Sequence, residues 1–239
     1  MSNESETKTA TEIVHIGLDF PDNVPDLFIE KVTEDLKAAG LNIKVSKHPT
    51  LIMMAAFEWV IPTAVAAYVL KPYFEGFLKE AGKDHYVALK SWIKKFVDNG
   101  RAIRVHHITS SYSPDKKINE SGQSRAVSFL IQTKNGKIVK LLFDNDLSKE
   151  EWENAIDVLL DYAIENYEKF PNDKLTKILS ELEPGIPFKI YAIIDKNSKH
   201  LLFYDDKGVV RLHREEQEKR NSTKQINTSN HGLRKTDYD

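Results

Sequence analysis

The sequence predicts an α+β protein, with an N-terminal βαβ unit and an apolar helical segment followed by a mostly antiparallel sheet with two helices. Hydrophobic residues recur at helical spacing in some segments and alternate as in strands in others. Strand-like and helix-like segments also occur in runs, which is typical of α+β proteins. The composition, 41% hydrophobic and 29% charged, is that of a globular protein.

The predicted βαβ unit occupies the first part of the chain. Residues 12–20 (EIVHIGLDF) are rich in β-branched residues and favour a strand. Residues 26–39 carry apolar side chains at helical spacing, and residues 41–45 favour a second strand. No glycine-rich fingerprint follows the first strand, which excludes a dinucleotide-binding or phosphate-binding loop at that turn.

The next segment, residues 51–70 (LIMMAAFEWVIPTAVAAYVL), is predicted to be one apolar helix. Its length matches the hydrocarbon core of a bilayer. Its eight Leu, Ile, Phe and Val residues contribute roughly −2.4 to −4.8 kcal/mol to insertion, against about +2.5 to +3.5 for an acidic residue near the centre. Insertion is therefore close to break-even. A buried helix of a globular protein is the favoured interpretation, and a membrane-inserting helix or an oligomer interface are the alternatives.

A more amphipathic stretch follows, and a further helix is predicted over residues 84–97, closed by Asn99-Gly100. After Gly100 the hydrophobic period changes toward two. The predicted strands are residues 102–109, 126–133, 137–143, 188–195, 200–204 and 209–213, with a polar loop over 110–123.

Turn and cap signals punctuate this second half. Asn135-Gly136 predicts a tight hairpin, because both residues tolerate a positive φ. Ser148 and Glu151 have the spacing of a capping box, and the apolar residues that follow lie on one helical face up to Pro171. A shorter helix is predicted over residues 175–182.

The sequence divides into four predicted regions. Residues 1–11 are a disordered N-terminus, residues 12–99 hold the βαβ unit and the helical segment, and residues 100–213 form an antiparallel α+β domain. Residues 214–239 are predicted to be a disordered polar tail, since they hold too few apolar residues to offset the entropy of ordering them.

Composition and motifs exclude several functions. The net charge of −2 gives no overall attraction to nucleic acid. The absence of cysteine excludes disulfides, thiolate nucleophiles and Cys-based metal sites. The standard hydrolase, metalloprotease, P-loop and EF-hand motifs do not occur, so we predict no catalytic residue, no metal ligand and no cofactor.

Five residues remain as functional candidates. Glu58 is an ionisable residue in an apolar run, where such groups are neutralised, paired or functional, and Trp59 and Pro62 lie beside it. His106 and His107 are adjacent on a predicted strand, so their side chains are expected to point to opposite faces and not to share a metal.

The favoured function is that of a non-catalytic interaction or regulatory protein in the cytoplasm, because the N-terminus carries no signal peptide. Its expected partner is another protein or a second copy of itself. The alternative is a membrane-associated, bilayer-inserting or pore-forming protein that uses residues 51–70. An enzyme of unrecognised type is a further alternative, with no motif in its support.

Overall fold

The computed structural model describes residues 13–49, 63–101, 123–124, 126–182 and 189–215, together with residues 218, 219 and 222. Within these ranges the chain forms a seven-stranded mixed sheet with several helices. The predicted α+β class is therefore confirmed.

The secondary structure follows the chain in alternating groups. The strands are β1 (Ile16–Pro21), β2 (Ile43–His48), β3 (Val65–Val69), β4 (Val127–Gln132), β5 (Ile138–Leu142), β6 (Lys189–Ile194) and β7 (Leu201–Tyr204). The helices are α1 (Asp26–Ala38), α2 (Leu78–Ala81), α3 (Lys83–Arg101), α4 (Lys149–Lys169) and α5 (Lys174–Ser180). A π-helical turn (Tyr73–Phe77) precedes α2, and a helical segment over residues 206–215 follows β7.

The strand order in the sheet is β2-β1-β3-β4-β5-β6-β7. The pairs β1–β2, β3–β4 and β5–β6 are parallel, and the pairs β1–β3, β4–β5 and β6–β7 are antiparallel. Two of the three pairings among β4 to β7 are thus antiparallel, as predicted for this half of the chain. The domain boundary predicted near residue 100 lies between β3 and β4, which are neighbours in the sheet.

One face of the sheet, called here the helical face, packs against α1, α3, α4 and α5. Alternate strand residues such as Ile16, Leu18 and Phe20 of β1 are buried there, in one core cluster with Trp92 of α3 and Leu159 of α4. In this core, the apolar residues that alternate along the strands pack against the apolar residues that recur every 3.6 residues along the helices.

The other face, called here the second face, carries the intervening side chains. The cross-strand row Tyr68–Leu130–Lys140–Tyr191 runs across β3, β4, β5 and β6. At the β5–β7 end, Val209 of the helical segment packs with Leu142, Tyr191 and Ile193. Leu130 is buried as well, so the centre of the sheet is covered on both faces.

The helix predicted over residues 51–70 is wrong for its last part, because Val65–Val69 is strand β3. β3 lies between β1 and β4 and is buried on both faces, so its sequence is apolar throughout and does not alternate. Residues 51–62 lie outside the described residues. In the described part of the chain, no helix combines the length and the apolar character that crossing a bilayer requires.

The strand predicted over residues 209–213 is also wrong, since residues 206–215 are helical. Asp205 starts this helical segment: its side chain accepts a hydrogen bond from the Gly208 N–H at 2.7 Å, and its carbonyl accepts one from the Val209 N–H at 3.0 Å. Asp205 is therefore a helix cap and not part of a turn between strands.

Helix α3 continues to Arg101, beyond the predicted end at Asn99-Gly100. Gly100 allows a close approach to the sheet, because a Cβ built on it would lie 2.7 Å from the Cβ of Val127. The glycine is thus required by packing against β4 and does not end the helix.

Other local predictions are confirmed. Gly136 has a φ of 85° in the β4–β5 hairpin. Ser148 and Glu151 form both hydrogen bonds of the capping box at the start of α4. The predicted apolar face of α4 is buried, including Ile156 and Leu159.

Candidate functional site

The five residues selected from the sequence lie outside the described part of the chain: Glu58, Trp59 and Pro62 before β3, and His106 and His107 after α3. The predicted strand over 102–109 and nearly all of the loop over 110–123 lie outside it too. Of the predicted tail, residues 214, 215, 218, 219 and 222 are described and are helical.

A pocket of about 290 Å³ opens between α1 and α3. Its buried lining consists of Leu36, Leu41, Leu89 and Trp92. Its exposed or half-exposed lining consists of Asp35, Ala39, His85, Ala88, Ser91 and Lys95. The pocket thus combines an apolar interior with a polar and charged rim.

The packing of the two helices explains why a pocket exists here. The α1 residues Ile29, Val32 and Leu36 recur at helical spacing and face the core. The indole N–H of Trp92 donates a hydrogen bond to the Val32 carbonyl at 2.7 Å and fixes α3 against α1. Small side chains occupy the rim, at Ala39, Ala88 and Ser91.

One ion pair crosses the pocket rim. The Lys95 ammonium lies 3.8 Å from Asp35, and the two side chains are 69% and 67% exposed. Such an exposed pair contributes little stability and can exchange partners. Two other lysines of α3 are directed to α4 instead, where Lys90 binds Asp161 at 2.9 Å and Lys94 binds Asp157 at 2.7 Å.

The rim does not have the geometry of a hydrolase. His85 and Ser91 are six residues apart on one helix, about 9 Å along its axis. A nucleophile and its base must lie within hydrogen-bonding distance of each other. Within the described ranges, no group of three or more His, Asp or Glu side chains is placed to hold a metal ion.

A second unusual group lies on the second face. Lys140 is only 6% exposed, and Lys189 is near it on the neighbouring strand β6. Burial, and then the Lys189 cation, lower the pKa of the Lys140 amine to about 7. In the same cross-strand row, burial raises the pKa of the Tyr68 and Tyr191 hydroxyls, and the carboxylates of Asp19 (for Tyr68) and Asp206 (for Tyr191) raise these pKa values further.

Neither the α1–α3 pocket nor the buried Lys140 was predicted from the sequence. Lys140 stands in the alternating strand over 137–143, where a lysine is usually taken as facing solvent. The pocket depends on how two distant helices pack, and its one sequence signal is the pair of small residues, Ala88 and Ser91, beside the apolar stripe of α3.

Comparison of the chain with models of known protein families, with curated proteins and with solved structures gave no match.

Proposed function

We propose that the protein is a non-catalytic interaction module and that its α1–α3 pocket receives an apolar side chain of a protein partner. The observation that carries this proposal is the pocket itself, with its buried lining of Leu36, Leu41, Leu89 and Trp92 and its polar rim. Protein interfaces concentrate their binding energy in a few anchor side chains that fill such pockets, surrounded by a polar rim.

The size of the pocket supports a side chain over a cofactor. Pockets for small-molecule ligands range over roughly 300–1,000 Å³, and this pocket, at about 290 Å³, lies at the lower limit. A single large apolar side chain needs less space than a nucleotide or a flavin.

The surface beside the pocket extends the apolar contact area. Val87 is 64% exposed and stands one helical turn before Ser91, a residue of the rim. A partner segment that places one side chain in the pocket can therefore cover Val87 with a second one. Lys95 and Asp35 offer polar contacts at the same edge.

The test uses a leucine that fills the pocket. Ala88 is exposed and lines the rim, so Ala88→Leu should occupy the space without disturbing the core. Asn154→Leu adds the same side chain at an exposed position of α4, remote from the pocket, and is the matched control.

A random-peptide phage library is selected on the immobilised full-length protein. We expect selected peptides to share an apolar anchor residue and to bind wild type and Asn154→Leu, with at least tenfold weaker binding to Ala88→Leu, which is about 1.4 kcal/mol. Peptides that bind Ala88→Leu as tightly as wild type, or no enrichment over uncoated plates, would contradict the proposal.

A further inference from the structure

We infer that the outer edge of β7 pairs antiparallel with the same edge of a second copy of the chain, so that one sheet runs through a dimer. In the described part of the chain, the sheet has β2 at one end and β7 at the other, and no described strand pairs with the outer edge of β7. The pocket lies between α1 and α3, and α1 packs beside β2. The inference therefore does not depend on the pocket or on its proposed function.

The hairpin between β6 and β7 determines which main-chain groups face outward. The Asp195 N–H donates a hydrogen bond to the His200 carbonyl at 2.9 Å. Along an antiparallel ladder, residue pairs with and without such bonds alternate. His200 and Leu202 are therefore bonded to β6, whereas Leu201 and Phe203 are not. The N–H and C=O groups of Leu201 and Phe203 point away from β6, toward the outer edge of the sheet.

The side chains of the two outer strands differ in charge. Strand β2 carries the exposed Lys44 and Lys47, and lysines on an outer strand discourage pairing with another chain. Strand β7 (Leu-Leu-Phe-Tyr) carries no charged residue. Its Leu202 is 41% exposed, and the remaining side chains of the strand are half-buried. The β7 edge therefore lacks the charged side chains that protect the β2 edge.

A two-fold axis at Leu202 makes the β7 edge complementary to itself. It places Leu201 of each copy opposite Phe203 of the other, so that each of these pairs exchanges both main-chain hydrogen bonds. Leu202 then faces its own copy in a non-bonded pair, where the Cα atoms lie about 4.5 Å apart and the side chains are in contact. The same register brings Lys199 toward Asp205 of the other copy, so opposite charges meet at both ends of the interface.

Sedimentation equilibrium of the full-length protein tests the dimer, at concentrations up to about 1 mM because so short an interface is transient. We expect the average mass to rise with concentration from 27.4 kDa toward twice that value. Leu202→Lys should weaken dimerisation about tenfold or more, because the two new ammonium groups lie directly opposite each other. Val45→Lys, at a position of β2 that is 40% exposed, is the matched control and should dimerise like wild type.

Cysteine variants test the register, since the chain contains no cysteine of its own. With oxidised glutathione as the oxidant, Leu202→Cys should form a disulfide-linked dimer, because the Cα distance of a non-bonded pair lies in the range that a disulfide spans. Val45→Cys should give much less of this dimer.

Two results would overturn the inference: a wild-type protein that stays monomeric at about 1 mM, or a Leu202→Lys variant that dimerises as well as wild type. In a monomeric protein, a Leu202→Cys thiol that resists alkylation would assign the edge to another segment of the same chain. Neither result bears on the pocket, which the peptide selection tests separately.

Discussion

The two faces of the sheet are both buried at the centre, but they are built from different chemistry. On the helical face, β1 contributes Ile16, Leu18 and Phe20 to the hydrophobic core cluster, and the buried polar side chains of the helices are hydrogen-bonded, as Asn166 is to Asp173 at 3.1 Å. On the second face, the row of side chains includes the buried Lys140 between Leu130 and Tyr191. The helical face thus follows the rule for a globular core, and the second face departs from it.

A residue buried in this sheet is therefore not always part of the hydrophobic core. A buried hydrophobic side chain contributes in proportion to the area that it removes from water. A buried amine costs free energy when it is charged, and the folded state responds by shifting its pKa. The stability of the helical face should therefore depend on packing, and that of the second face on pH.

The largest effect is expected from a cavity on the helical face. Leu159 of α4 is fully buried in the core cluster, so Leu159→Ala should lower the free energy of unfolding by about 2–5 kcal/mol. Asn154→Ala, on the exposed side of the same helix, should change it by less than about 0.5 kcal/mol. Urea denaturation measures both, and similar losses in the two variants would contradict the assigned face.

A smaller loss is expected where α3 approaches the sheet. Gly100→Ala improves helix propensity by about 1 kcal/mol, but its new Cβ would lie 2.7 Å from the Cβ of Val127. Overpacking of this kind costs about 1–3 kcal/mol, so a net loss of stability should result. In the double variant Gly100→Ala/Val127→Gly, which removes the Val127 Cβ as well, the loss should be less than the sum of the single losses; additive losses would show that the two residues do not compete for space.

The effect that separates the two faces concerns pH. The pKa of Lys140 is about 7 in the folded protein and near the ordinary 10.5 in the unfolded chain. Between these values the unfolded chain binds more protons, so stability should rise with pH from 7 to 9, by at most about 1.4 kcal/mol per pH unit.

Urea denaturation at pH 7 and pH 9 measures this slope. Lys140→Met should flatten it, because the titrating amine is gone. Lys177→Met, at an exposed position of α5, should keep the slope of the wild type. A slope that is unchanged in Lys140→Met would show that other groups produce the pH dependence.

Sequence reasoning succeeded where local signals dominate. The capping box of Ser148 and Glu151 and the hairpin at Asn135-Gly136 are set by neighbouring residues, and both are present as predicted. The long helix α4 repeats its apolar residues over five turns, and so its buried face could be assigned from spacing alone.

Sequence reasoning failed where tertiary packing decides the secondary structure of a segment. Residues 65–69 are continuous with a longer apolar run, and period alone does not distinguish a doubly buried strand from a buried helix. Residues 209–213 alternate like a strand, yet Val209 and Leu212 lie on one side of a helix and pack on the second face. The pocket arises from two helices separated by more than forty residues, and no local pattern encodes it.

The strand order has a consequence for how the chain folds while it is being synthesised. In the described sheet, one edge of β1 pairs with β2, the next strand in the chain. The other edge pairs with β3, which is made later, as in the pair Ile16–Val69. Each strand after β3 pairs with the strand that precedes it in the chain. A nascent chain that stalls before residue 65 therefore carries β1 with one open edge and with the apolar side chains of Ile16, Leu18 and Phe20, the kind of strand that recruits other chains. Fragments that end before β3 should aggregate, and fragments that end before β4 should do so as well, because the open edge then belongs to β3 until residues 127–132 have been made.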